Sequence, residues 1–424
     1  MKSPLRGGHQ LQLLEGGGEL FPAMVRAIEQ ARHLVHVETY IFEFAGTALQ
    51  VAEALERCAL RGVTVRLVVD GIGTARLPQA WRERLEHAGV QCRVYLPLGH
   101  LGLLIPSRWR RLHRKLCVVD GALGFCGGIN LIDDLDDVAL GRLERPRLDF
   151  ALQVSGPLVA DMLESMEQLW WRMQAVSRAR QHEFRAAWEA LRAGWPALPA
   201  DHPPRGRKTP PAAAALLLRD NLRHRHDIER AYLKSIAQAR REILIANAYF
   251  IPGRKLHRAL ALAAARGVRV RLLLHGKYEH FLQYHAARTV YQRLLEAGIE
   301  IHEYAPSALH AKVAVVDGSW ATVGSTNLDP LSLLMAREAN VVTRDPGFAR
   351  GLQQRLDHLL QTAGVRIERE QLGLDEDVAD LADAQQTANI LGIENRVAVE
   401  LAEKVREALD AHGVGLGRHG FPQD

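Results

Sequence analysis

The segment His113–Leu131, HRKLCVVDGALGFCGGINL, returns 197 residues later as His310–Leu328, HAKVAVVDGSWATVGSTNL. Nine of the nineteen positions are identical: His113/His310, Lys115/Lys312, Val118/Val315, Val119/Val316, Asp120/Asp317, Gly121/Gly318, Gly127/Gly324, Asn130/Asn327 and Leu131/Leu328. A repeat of this kind has to be read before any fold is assigned. It makes the chain a twofold repeat with one reactive constellation in each half.

The repeat spreads outward from this segment. The order helix, strand, helix, strand covers Leu20–Ala31, Leu34–Phe42, Ala48–Arg61 and VTVRLVVDG in the first half. It recurs as Ile228–Ala239, EILIANAYF, LHRALALAAAR and GVRVRLLLHG in the second. Helical and strand periodicities alternating in this way predict an α/β fold. Tyr40 pairs with Tyr249 and Gly62 with Gly267 at offsets of 209 and 205, so loops change length while elements persist. Gly62 is positioned to cap its helix. Beyond the central segment, Asp149–Pro157 aligns with Glu338–Pro346, each starting on a carboxylate and leading into a helix, Leu158–Met173 and Phe348–Thr362.

A chain of 424 residues exceeds a single core and divides into a first domain, 1–174, and a second, 215–364. Between them 175–214 reads as a basic, Pro-rich linker. Its opening stretch sets Phe184, Trp188, Leu191 and Trp195 on one helical face beside Arg178, Arg180, Arg185 and Arg192. Residues 365–424 are acidic, helix-prone and without a counterpart in the first half, which suggests a helical appendage.

A formal charge of +5 favours an anionic partner. The cysteines Cys58, Cys92, Cys117 and Cys126 form no C-x-x-C pair, so they read as buried thiols in a reducing cytoplasm. No signal-peptide core and no run of about eighteen apolar residues is present, which excludes a spanning helix but leaves attachment to a membrane surface open.

In a strand, His113 and Lys115 point the same way. Asp120-Gly121 is a turn signal, and Gly127-Gly128 or Gly324-Ser325 lets backbone approach a ligand before Asn130 or Asn327 arrives. Two such halves supply two imidazoles, one to attack and one to protonate a leaving oxygen. Two lysines and two asparagines would hold the oxygens of a phosphoryl group. This set suits a phosphodiester with no metal and no cofactor, because a lysine beside each histidine repels a cation. A lone His-x-Lys is usually a solvated strand edge, but a structural histidine seldom recurs with all its polar neighbours. Asp149 and Glu338, at equivalent positions, are expected to receive the second ring N–H of a catalytic histidine. Asp120 and Asp317 belong to the duplicated motif, although their place at turns favours a structural role.

At these residues the sequence resembles the phospholipase D superfamily, whose H-x-K-x4-D and G-(G/S)-x-N pattern is present twice. Through ETYIF, ANAYFIPG, LHAKVAVVDGSWATVGSTNLDPLSL and REANV, over roughly Leu11 to Ala363, it is similar to bacterial cardiolipin synthases of the shorter B type. The resemblance implies two similar α/β/α domains with pseudo-twofold symmetry and an active site at their interface. It assigns the catalytic set to His113, Lys115, Asp120, His310, Lys312 and Asp317, with His113 as nucleophile and His310 as general acid/base. Phosphate binding falls to Asn130, Asn327 and Ser325, with Gly at 128 where the second half has Ser. It also implies transfer of a phosphatidyl group between phosphatidylglycerol molecules at the cytoplasmic face of the bacterial inner membrane. The acidic C-terminus departs from the family form, which is apolar and aromatic.

Leu98–Arg111, LGHLGLLIPSRWRR, mixes apolar and basic residues just before His113, so Leu103, Leu104 and Trp109 are candidate membrane contacts. The alternatives are a nuclease or other phosphodiesterase of the same superfamily, or a non-catalytic protein that binds anionic lipid. Arginines interleaved with Trp and Leu argue against a nucleic-acid track, and intact polar sets in both halves argue against a non-catalytic scaffold.

Overall fold

The computed structural model describes residues 5–74, 77–97, 109–137, 140–193, 212–220, 224–276, 290–329, 332–333 and 335–369. The first half runs β1 (Arg6–Glu15), α1 (Gly16–Gln30), β2 (Leu34–Thr39), α2 (Leu49–Leu60), β3 (Thr64–Asp70), α3 (Gln79–His87) and β4 (Gln91–Tyr95). It continues through β5 (Arg111–Leu112), β6 (Lys115–Val119), β7 (Leu123–Gly127), a small hairpin of β8 (Asp136–Asp137) and β9 (Gly141–Arg142), β10 (Phe150–Ser155), α4 (Leu158–Arg180) and α5 (Phe184–Ala193). The second half has β11 (Ala212–Arg219), α6 (Asp227–Gln238), β12 (Glu242–Asn247), α7 (Arg254–Ala265), β13 (Arg269–His275) and β14 (Glu300–Tyr304). It closes with β15 (Lys312–Val316), β16 (Trp320–Gly324), β17 (Ala336–Thr343), α8 (Pro346–Ala363) and β18 (Gly364–Arg366).

The strands form one continuous sheet in the order β18-β14-β13-β12-β15-β16-β17-β11-β1-β10-β7-β6-β2-β3-β4, with β5 paired to β17. From the β11–β1 seam outward, each half presents the same succession. β2, β3 and β4 are parallel, as are β12, β13 and β14, whereas the strands nearer the seam are antiparallel. A parallel pair buried on both faces needs continuous apolar runs. VTVRLVVD and GVRVRLLLH are apolar at most positions, interrupted by Arg66, Arg269 and Arg271, with Val65, Leu67 and Val68 matched by Val270, Leu272 and Leu273, all almost fully buried.

Three large apolar clusters lie among the described residues, beside two small ones. One lies under α1 and α2, centred on Phe21, Ile28 and Leu55, and its counterpart lies under α6 and α7, centred on Ile236, Leu260 and Leu272. The third belongs to both halves: Leu116, Val118 and Met162 pack in one cluster with Leu244, Val313 and Leu356. The halves therefore share a core, which fixes their relative placement far more firmly than a surface contact would.

The expected boundaries shift in three places. β1 lies within the expected first domain but ahead of its first expected helix, and β11 starts at residue 212, inside the expected linker. α4 runs to Arg180 and is followed by α5, so the linker's opening is helical. At the other end β18 pairs antiparallel with β14 through Arg366, so the second half extends past 364. The expected appendage from residue 370 onward, Leu103, Leu104, Trp195 and 194–211 lie outside the described residues. The four cysteines are free; Cys58, Cys117 and Cys126 are buried as expected, but Cys92 is half-buried. Burial pushes the Cys117 and Cys126 thiols up to about 12, so neither is a nucleophile near neutrality.

Candidate active site

Each duplicated segment is a tight hairpin. Asp120 and Asp317 both take the left-handed backbone conformation, with φ of 50° and 52°, and each is followed by a glycine that does the same, at 64° and 60°. Asp120 accepts backbone N–H bonds from Arg32, His33 and Leu34 at 2.8–2.9 Å. Asp317 accepts the equivalent three from Arg240, Arg241 and Glu242. These carboxylates stand at the opposite end of a five-residue strand from the histidines, roughly 20 Å away along the chain. This geometry supports the structural role that the turn positions of Asp120 and Asp317 favour. They fasten the turn to the strand beside it.

The histidines gather at the other end. Leu112 pairs with Arg337 in the parallel β5–β17 contact, and the His113 N–H donates to the Arg337 carbonyl at 3.0 Å. Leu148 and Leu309 form a parallel bridge, and the His310 N–H donates to the Leu148 carbonyl at 2.8 Å. Each histidine is thus pinned to the backbone just ahead of the other half's carboxylate. The side chains follow: His113 Nδ1 meets Glu338 Oε1 at 2.9 Å, and His310 Nδ1 meets Asp149 Oδ2 at 2.6 Å. The halves exchange carboxylates. Sequence reasoning had paired a carboxylate with each histidine but could not say which with which.

Fixing Nδ1 to a carboxylate leaves Nε2 as the outward ring nitrogen and sets its tautomer. Tyr40 packs edge-on to His113 with ring centroids 5.1 Å apart. Lys115 donates to the His113 carbonyl at 2.8 Å, and Lys312 donates likewise to the His310 carbonyl. Both ammonium groups are buried and both act on Asp149, which places one lysine from each half around a single carboxylate. Burial still dominates there and raises the Asp149 carboxyl to about 6, against the pull of Lys312, the Phe150 N–H and Lys115.

The two carboxylates differ in their support. Ser325 Oγ donates to Glu338 and accepts from the Ala339 N–H at 3.1 Å. At position 128 a Cβ would lie 2.4 Å from Asp149 Oδ1, so the glycine makes room for the shorter acid. Arg219, buried at 3 % exposure and directly across the β11–β17 register from Glu338, donates to the Ala336 carbonyl and adds positive charge beside Glu338. Its register equivalent beside Asp149 is Gly16, whose N–H reaches the Asp149 carbonyl at 2.9 Å. The repeat therefore gave no signal for Arg219. Asn130 Oδ1 accepts from the Ile41 N–H at 3.3 Å, whereas Asn327 Oδ1 is buried with no partner among the described residues.

Arg114, between the histidine and lysine, points away from this cluster to a buried bidentate pair with Glu38, at 2.5 and 2.9 Å. Asp70 takes the Leu112 N–H at 2.8 Å and Arg111 Nη1 at 3.1 Å, which holds the strand that delivers His113. Neither buried carboxylate was singled out by the sequence, because neither pair recurs in the second half.

The chain matches the family described as "Cardiolipin synthase, PLD-like domain" over residues 24–135 and 232–360, one stretch in each half. It belongs to this family. Relatives include cardiolipin synthase B of Salmonella typhi, 37 % identical over 85 % of this chain and 82 % of that protein, and cardiolipin synthase B of Escherichia coli K12, 36 % identical with the same coverage. Cardiolipin synthase A of Pseudomonas putida KT2440 is 31 % identical over 85 % of this chain and 69 % of its own length. Among solved structures, phosphatidylserine synthase of Haemophilus influenzae Rd KW20 superposes with a TM-score of 0.64 over 92 % of this chain and 96 % of that one. At 13 % identity this establishes a common fold alone.

Proposed function

We propose that the two halves are phospholipase D-like domains related by a pseudo-twofold axis, with one active site at their interface, and that this site moves a phosphatidyl group from one phosphatidylglycerol to another. The chain is a phosphatidyltransferase of the cardiolipin synthase B type. The observation that carries the assignment to this site is the exchange of carboxylates: His113 with Glu338 and His310 with Asp149. Neither half alone holds an oriented imidazole.

His113 Nε2 attacks the phosphorus of the first phosphatidylglycerol, forming a P–N bond as the P–O bond to glycerol breaks. His310 gives its proton to the departing glycerol oxygen. The glycerol hydroxyl of a second phosphatidylglycerol then loses its proton to His310 and attacks phosphorus, and the P–N bond breaks to release cardiolipin and free His113. Glu338 and Asp149 steady the imidazolium in each phase. Lys115, Lys312 and the amide N–H groups of Asn130 and Asn327 hold the phosphoryl oxygens as charge builds, while Ser325, expected to join them, gives its hydroxyl proton to Glu338. Leu103, Leu104 and Trp109 would meet the lipid at the cytoplasmic face of the inner membrane, and no described helix is long and apolar enough to cross it.

Purified protein given phosphatidylglycerol vesicles in the presence of chelator is expected to yield cardiolipin and one glycerol per transfer, read by mass spectrometry. Products on nucleic acid alone would overturn the proposal in favour of a nuclease.

A further inference from the structure

α4 and α5 form a hairpin that the chemistry above does not use. α4 packs across the sheet, with Ser165 Oγ 3.3 Å from Arg114 Nη1 and the Trp170 carbonyl accepting from Arg93 at 2.5 Å. It then runs ten residues further to Arg180, about 15 Å. α5 folds back on this extension. The groove between them has small residues on its floor, Ala175, Ala179 and Ala187, with Val176, Phe184 and Trp188 along its rim. Phe184 is 68 % exposed, Trp188 61 % and Val176 52 %. Adjacent exposed groups of this size mark a surface with a partner.

Charge identifies that partner. Arg172, Arg178, Arg180, Arg185 and Arg192 stand on the hairpin against two acids in the same stretch, Glu183 and Glu189, each already paired with an arginine at 2.6 and 3.2 Å. An apolar ridge with Trp and Phe at its crest and arginines at its flanks matches the interface of an anionic bilayer, where rings sit among headgroups and guanidinium groups meet phosphates. The hairpin's base also lies by the active site. Leu169 and Trp170 pack with Leu112, the residue before His113, and with Tyr95, whose hydroxyl is 3.3 Å from Nε of Arg337, the residue before Glu338.

We infer that the α4–α5 hairpin is a docking surface for an anionic lipid bilayer, with Phe184 and Trp188 entering the headgroup layer and the surrounding arginines binding lipid phosphate. This rests on the phosphatidyl-transfer reading and adds the surface that brings the site to its substrate. Neither residue touches the reacting atoms.

The test is co-sedimentation of the full chain with vesicles of phosphatidylglycerol and phosphatidylcholine, or of phosphatidylcholine alone. Turnover of a monodisperse short-chain phosphatidylglycerol reports the active site separately. Phe184→Ser/Trp188→Ser is expected to lower anionic-vesicle binding at least tenfold, and Arg172→Glu/Arg185→Glu to do the same in a salt-sensitive way, while short-chain turnover persists in both. Quenching of Trp emission by brominated lipid should diminish in Trp188→Phe. Vesicle binding that survives both double variants would overturn the inference, as would a change in oligomeric state on altering Phe184 and Trp188, since a second copy would then be the occupant. Loss of short-chain turnover in the unaltered protein would instead defeat the catalytic reading and leave the docking result to stand or fall by sedimentation.

Discussion

Asp149 carries an unusual load for one residue. Its carboxyl is raised from the ordinary value near 3.8 to about 6 by burial, yet it must be ionised to take the His310 Nδ1–H. Because the folded state binds this proton more tightly than the unfolded chain, its contribution to stability is complete below about pH 4 and is lost as pH rises through 6. Asp149→Asn is therefore expected to raise the melting temperature at pH 7 while lowering turnover by roughly 10²- to 10⁴-fold. In the unaltered protein the acid limb of the turnover profile is expected near pH 6. A variant that melts lower and turns over normally would contradict both statements. Arg219 makes a second case at this scale, since it supports Glu338 alone. Arg219→Met is expected to lower kcat about tenfold with KM little changed, and Arg219→Lys to restore part of it, because a positioning cation acts on the chemistry and not on substrate capture.

Among elements, the hairpins β6–β7 and β15–β16 separate two functions that the motif runs together. Their histidine ends supply the chemistry, and their aspartate ends secure three backbone N–H groups each. Asp120→Ala and Asp317→Ala each strand those donors and are expected to cost about 1–3 kcal/mol, seen as a lower urea midpoint, with turnover per folded molecule retained. A catalytic aspartate would give the opposite pattern. The sequence made these elements readable because turn chemistry and strand alternation are local: Asp-Gly at the strand end, apolar residues on both buried faces. It did not make the parallel contacts Leu112 with Arg337 and Leu148 with Leu309 readable, because they are short, non-local and carry no side-chain signature. Those two contacts decide which carboxylate serves which histidine.

For the whole molecule, the duplication was enough to read an α/β class, and it pointed to both histidines, lysines and carboxylates as candidates. The seam was not legible. β1, RGGHQLQLLE, has an exposed and irregular pattern, and β11, AAAALLLR, follows a Pro-rich stretch that reads as linker, yet together they join the halves into a single sheet. Arg219 lies at the end of that overlooked strand, which is why its role surfaced only with the fold. A shared core under the seam also makes the two halves one structural unit. The crossed pairs then require that each histidine be tuned from the opposite half.

That requirement can be observed at the ring protons themselves, in the downfield Nδ1–H resonances of the protein labelled with ¹⁵N-histidine. The account predicts that Glu338→Gln displaces the His113 signal and leaves that of His310 in place, and that Asp149→Asn does the reverse. Displacement of His113 by Asp149→Asn, with Glu338→Gln acting on His310, would mean that each half serves itself, and the exchanged site described here would be wrong.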